Sequence, residues 1–151
     1  MVTDIPNRLC VIRSGVTWEN CGDEQLLSFE SNLKPKLNAG MSFLRQNPEE
    51  TGCCSLRQVT CLDPEGALQK EAYSLGLFLS YGHLERWAHD HPTHLAIYTR
   101  ALAERKKYQE DLELLTYHEI YVLNDSLRFE YLNCHPETGL LPFFTNKVMS
   151  Q

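Results

Sequence analysis

The sequence predicts an α+β fold in the order βαββαβ with an extra C-terminal strand, the ferredoxin-like split-βαβ arrangement. Three observations predict it. Short apolar or alternating runs occur at 9–12, 53–62, 73–80 and 112–123, two longer stretches of helical spacing lie between them, and turn residues mark the joints. The chain has 151 residues, of which 42% are hydrophobic and 23% charged, as expected of one globular domain with its own core.

The first strand is LCVI, Leu9 to Ile12, closed by the turn signal Ser14-Gly15. Asp23 offers a helix cap, and apolar residues then recur at Leu26, Leu27, Phe29, Leu33, Leu37, Met41 and Leu44 with nearly helical spacing. Pro35 is expected to kink or split that helix, because it lacks an N–H and its ring crowds the preceding turn. Asn47-Pro48 ends it. Cys53 to Leu62 and Tyr73 to Ser80 form a hairpin across the turn Asp63-Pro64-Glu65-Gly66. A second helix starts at Gly82 to Ala88, breaks at Pro92 and resumes over Thr93 to Tyr108. Leu112 to Leu123 is a fourth strand, and its apolar residues on both faces predict a central place in the sheet. A turn at Asn124-Asp125 leads to a fifth short strand, Leu127 to Leu132.

The net charge of −6 and the lack of a basic stripe disfavour nucleic acid as a partner. The run Arg105-Lys106-Lys107 sits among acids and reads as a solvated helix face. No stretch approaches the roughly 20 apolar residues of a membrane span. An acid at Asp4 and the lack of an apolar core argue against a signal peptide. The six cysteines show no CxxC spacing and read as reduced thiols of a cytoplasmic protein. Cys53 and Cys54 are expected on opposite faces of their strand.

Histidine carries the functional signal. Five of the six fall between residues 83 and 118, three of them in HDHPTH (His89, His91, His94). Imidazole both ligates metals and moves protons near neutral pH. On one helix His91 and His94 would share a face. Three readings follow: a zinc site, which needs three or four ligands; a haem, which needs one imidazole beside an apolar slot such as Leu95, Ile97 and Tyr98 offer; or imidazoles that cap helix ends. His118 shares a strand face with Thr116, Ile120 and Val122. It suits either a rigidly held general acid or base, or a core histidine bonded to a carbonyl. Ser14 lacks a GxSxG context. It therefore reads as a hydrogen-bonding residue or a turn serine, and Arg13 beside it points to the other face. Phe43, Phe78 and Tyr98 are aromatic residues for the core or for a pocket wall.

At these residues the chain resembles the haem-containing aldoxime dehydratases, the phenylacetaldoxime dehydratases among them. The blocks that carry the resemblance are LCVIRSG (Leu9 to Gly15), GMSFLR (Gly40 to Arg45), LERWAHDHPTHLAIY (Leu84 to Tyr98), YHEIYVL (Tyr117 to Leu123) and FEYLNCHPETGLL (Phe129 to Leu141), in family order. The resemblance implies haem b with ferrous iron bound by His94, His118 as the distal acid–base residue, and Ser14 as the partner of the aldoxime hydroxyl. It implies a lyase that dehydrates R–CH=N–OH to the nitrile R–C≡N. The family's chains are considerably longer, with two related halves, and this chain matches the C-terminal half. The family's distal arginine lies upstream of the match. A domain of dimeric α/β-barrel type could gain the missing cover from a second copy of itself. A haem binder or sensor without turnover is the alternative, and a zinc or structural module the third reading.

Overall fold

The computed structural model describes residues 2–4, 8–124 and 128–144. Asp125 of the expected turn and Leu127 at the start of the expected fifth strand lie outside them.

The first long strand, β2 (Cys10–Thr17), follows a short β1 (Val2–Asp4) and runs well past the apolar run. The Ser14-Gly15 pair is not a turn. Gly15 lies buried within the strand because the ring of Tyr117 occupies the space a side chain would need. The first helical stretch is split as Pro35 requires, though by a wide turn rather than a kink. Helix α1 (Asp23–Ser28) passes through a π-turn (Phe29–Leu33) into α2 (Lys34–Gln46), with Lys34 N–H bonded to the Phe29 carbonyl. Gly22 rather than Asp23 is the cap, and Asp23 sits in the first turn, where its charge suits the helix dipole.

A single turn, α3 (Pro48–Thr51), ends at Gly52 with φ +68°. Strands β3 (Cys53–Leu62) and β4 (Leu68–Phe78) form the expected hairpin, in which Asp63 Oδ1 accepts the Ala67 N–H at 2.7 Å. Cys53 joins the core under the helices and Cys54 packs on the other face, as their adjacency predicted. Helix α4 (Tyr81–Asp90) and α5 (Pro92–Tyr108) meet at His91. Strand β5 (Leu115–Val122) follows, and β6 (Arg128–Glu130) pairs antiparallel with β1. The extra strand thus joins a separate two-stranded ribbon, and a short α6 (Leu141–Phe144) closes the described chain.

The main sheet is antiparallel throughout, in the order β3-β4-β2-β5. Strand β5 is therefore an edge strand, which corrects the expected central place. Apolar residues on both faces of β5 carry no information about its lateral neighbours, and all but Tyr117 are exposed in this structure. Helices cover one face in two separate apolar clusters. Cys10, Ile12, Phe78 and Cys53 pack with Met41, Leu44, Leu84 and Trp87. Val16 and Trp18 pack with Phe29, Leu33, Ile97 and Leu114. The second cluster is tied by a buried polar contact: Ser28 Oγ donates to Glu104 Oε1 at 2.7 Å, and Arg100 also pairs with Glu104. On the rear face, Leu9, Leu77 and Cys54 are covered by Leu140 and Tyr131 of the C-terminal segment. Among the described residues no helix is long and apolar enough to cross a membrane.

Candidate active site

The two apolar clusters reach β2 at Ile12 and at Val16, and Ser14 lies between them on the same, helix-facing side. Its register partner on β5 is His118 and its partner on β4 is Ser74, which in turn faces Gln58 on β3. A polar row, Gln58–Ser74–Ser14–His118, thus crosses the sheet between two apolar bands. Directly opposed residues on adjacent antiparallel strands hold their Cβ atoms about 5 Å apart, so a hydroxyl and an imidazole can address one small molecule. Ser14 and His118, each singled out separately from the sequence, are brought together by strand pairing.

His94 comes from above, on the first turns of α5. Its ring meets Trp87 of α4 edge to face at 4.8 Å between centroids. The two rings lie on either side of the break at His91 and Pro92 that separates α4 from α5. Burial pushes the His94 imidazole below its ordinary value, the Ala88 backbone pulls it up, and charge on His118 and His89 pushes it down. Nδ1 of His94 is buried without a hydrogen-bond partner among the described residues, so the pull of the Ala88 backbone is a loose one. His118 is exposed by surface area, yet enough protein surrounds it for desolvation to lower its pKa as well. Both rings are therefore largely neutral at neutral pH.

His91 does not share a helix face with His94. It precedes α5 as its N-cap, with Nδ1 accepting the Thr93 N–H at 3.3 Å and lying 2.8 Å from Thr93 Oγ1, and it stacks on Phe43 at 4.0 Å. The proline at the first helical position forces the preceding residue out of the helix. His83 is engaged in the same way, with Nδ1 2.8 Å from Ser80 Oγ at the start of α4. Among the described residues, no three His, Cys, Asp or Glu side chains converge as a metal site, which removes support for the zinc reading. Phe78 is core, whereas Tyr98 is 56% exposed. Tyr98 and Leu102 follow His94 at i+4 and i+8 on one flank of α5, and Ile120 and Val122 share the face of His118 on β5; all four are exposed. A surface groove along Lys36, Leu95, Thr99 and Arg100 lies apart from these residues and holds no acid–base pair. None of His94, His118 and Ser14 lines that groove.

These residues fit a haem. One half-buried imidazole with an unpartnered Nδ1 stands on the helix layer beside Trp87, and a hydroxyl and a second imidazole are paired on the helix-facing side of the sheet. The family model for haem-containing dehydratases matches residues 1–140. The chain belongs to that family.

Within it, the chain is 40% identical over 140 residues to the phenylacetaldoxime dehydratase of Bacillus sp. (strain OxB-1), covering 92% of this chain and 40% of that enzyme. It is 40% identical over 139 residues to the aliphatic aldoxime dehydratase of Pseudomonas chlororaphis, covering 89% and 38%. A crystal structure of an aldoxime dehydratase in complex with butyraldoxime superimposes with a TM-score of 0.81 at 35% identity, covering 93% of this chain and 39% of that one. The chain spans about two fifths of the length of the relatives it matches.

Sequence reasoning missed Ser74, Gln58 and the Trp87 contact. Alternation alone puts Ser74, Gly76 and Phe78 on one strand face, but only the β2–β4 register brings Ser74 beside Ser14.

Proposed function

We propose that this chain is the haem-binding C-terminal part of an aldoxime dehydratase, converting R–CH=N–OH to R–C≡N and water. The supporting observation is the cross-strand pairing of Ser14 with His118 on the sheet face covered by the helices, one of which carries His94. The strand order and the helices gathered on one face support a ferredoxin-like domain of the dimeric α/β-barrel type. His94 would hold the haem, with Tyr98, Leu102, Ile120 and Val122 as apolar walls. Bound there, haem would supply an electron-rich iron centre able to weaken the oxime N–O bond.

The chain's own residues supply the rest. Ser14 Oγ donates to or accepts from the oxime hydroxyl and holds it in line, a contact worth about 1–3 kcal/mol. His118, as imidazolium, gives its proton to the departing hydroxyl, which leaves as water rather than hydroxide. The neutral imidazole then takes the proton from the aldoxime carbon, so His118 ends as it began and the atoms balance. A lowered pKa makes His118 a stronger acid but a scarcer one at neutral pH. Desolvation keeps His94 neutral, the form that ligates iron.

A second copy of the chain is the proposed partner, supported by exposed Leu75, Leu115 and Tyr121 on the rear face. A cytoplasmic location is supported by six free cysteines, as expected in a reducing compartment.

The test begins with haem reconstitution and an absorption spectrum with and without dithionite. A Soret band that is lost in His94→Ala supports the ligand, and one that persists overturns it. Nitrile formation from phenylacetaldoxime under reducing conditions, lost in His118→Ala and reduced in Ser14→Ala, supports the enzyme. A haem-loaded wild type without turnover indicates a haem binder instead. Sedimentation velocity reports the dimer.

A further inference from the structure

Among the described residues β5 is an edge strand paired with β2 alone, so its register rests on that one neighbour. A slip of one residue would turn His118 to the rear of the sheet. Backbone ladders do not distinguish one register from another; side chains do. On the helix side β5 offers little to hold it, since Thr116, Ile120 and Val122 are all exposed. The rear face differs. Tyr117 is the one residue of β5 that is not exposed, and its ring lies over Gly15, its register partner on β2, where a Cβ would fall inside the ring. The Tyr117 hydroxyl continues across β2 and donates to Glu71 of β4 at 2.7 Å. Arg13 reaches Glu119 on β5 at 3.1 Å and Glu71 on β4 at 3.7 Å. Its guanidinium also lies 4.6 Å from the ring centre of Tyr73 and 5.0 Å from that of Tyr117. Three strands are therefore stapled by side chains that flank the site residues in sequence: Arg13 and Gly15 around Ser14, Tyr117 and Glu119 around His118.

We propose that Arg13, Gly15, Glu71, Tyr73, Tyr117 and Glu119 are positioning residues that lock the β2–β5 register from the rear face and so hold Ser14 opposite His118. This rests on the reading of Ser14 and His118 as the working pair. A shift by one position would carry Tyr117 off Gly15 and Glu119 away from Arg13 together, so the correct register is the one in which every contact closes at once.

The test uses the full, isotope-labelled chain and needs neither haem nor substrate. Cross-strand NOEs for Ser14–His118 and Ser14–Ser74 and the amide exchange of β5 are followed in Gly15→Ala, Tyr117→Leu, Arg13→Gln and the Gly15→Ala/Tyr117→Leu pair. Tyr117→Leu is expected to weaken the Ser14–His118 NOE and speed β5 exchange about tenfold, while the Ser14–Ser74 NOE persists. The double variant should match Tyr117→Leu alone, because the added methyl harms only when the ring is present. Tyr117→Phe, which keeps the ring, should retain most of the protection. Unchanged NOEs and exchange in both Tyr117→Leu and Arg13→Gln, or a double variant whose effects simply add, would overturn the clamp. If Gly15→Ala does not fold, Tyr117→Leu and Arg13→Gln introduce no clash and decide the matter. A clamp confirmed in a chain without dehydratase activity would fault the functional reading and leave the register argument standing.

Discussion

Glu104 is the buried carboxylate among the described residues, at 3% exposure, and it sits on the helix that carries His94. It accepts from Ser28 Oγ at 2.7 Å and from Arg100 Nε at 2.9 Å, while Arg100 Nη2 also reaches Ser28 Oγ at 3.1 Å. Glu104→Ala removes the acceptor and strands a guanidinium. Breaking a fully buried pair costs about 3–5 kcal/mol. Arg100 is 27% exposed and can turn toward the groove it lines, so its uncompensated charge is partly relieved. The expected loss is therefore about 2–3 kcal/mol, or about 5–10 °C in Tm for a domain of this size. Circular dichroism melts at pH 7 measure it. The double change Arg100→Met/Glu104→Leu removes both charges and keeps the volume, and it is expected to melt within about 1 kcal/mol of wild type. A Glu104→Ala protein as stable as wild type, or a double variant as weak as the single, would refute the reasoning.

Further outcomes can be checked on the same chain. His83, His94 and His118 are all held below the ordinary value of 6.5 by desolvation, so the unfolded chain binds protons first. Stability should be full above that value and fall as pH drops through it toward the lower folded values, a trend that urea melts across pH 5 to 8 would show. Turnover should fall on the alkaline side as His118 loses its proton, and a kcat profile that stays flat to pH 9 counts against its acid role. Ser80→Ala removes the cap of α4 and should cost about 1 kcal/mol by denaturant melts. Gly52→Ala meets both a left-handed backbone and the ring of His83, and should cost about 2–4 kcal/mol in the same assay. Burial pushes the Cys53 and Cys54 thiols up to about 12, so iodoacetamide at pH 8 should label exposed Cys134 well before either, as mass spectrometry would report.

Local signals were readable where the cause is local. The bounds of Cys53–Leu62 follow from alternation and turn residues, and the break at Pro92 follows from a missing N–H. The pairing of Ser14 with His118 was not readable, because register is decided by strands far apart in sequence. Gly15 misled for the same reason: beside Ser14 it looks like a turn, and only the ring of Tyr117 explains it as a strand residue. His91 and His94 looked equivalent from spacing, yet one proline assigns the first to a cap and the second to the site. The edge position of β5 was not readable, because apolar residues on both faces of a strand say nothing of its lateral neighbours, and here nearly all of them are exposed.

The π-turn at Phe29–Leu33 gives the chain one residue more than a regular helix would place there. An α-helix rotates about 100° per residue, so a deletion inside α2 or α5 would swing an entire face out of the core. A deletion within the π-turn, at exposed Ser31 for instance, instead lets the ladder close as ordinary α-helix with both flanks in phase. The molecule thus carries one slack link at which its length can change by a residue while Phe29, Leu33 and the helices beyond keep their bearings.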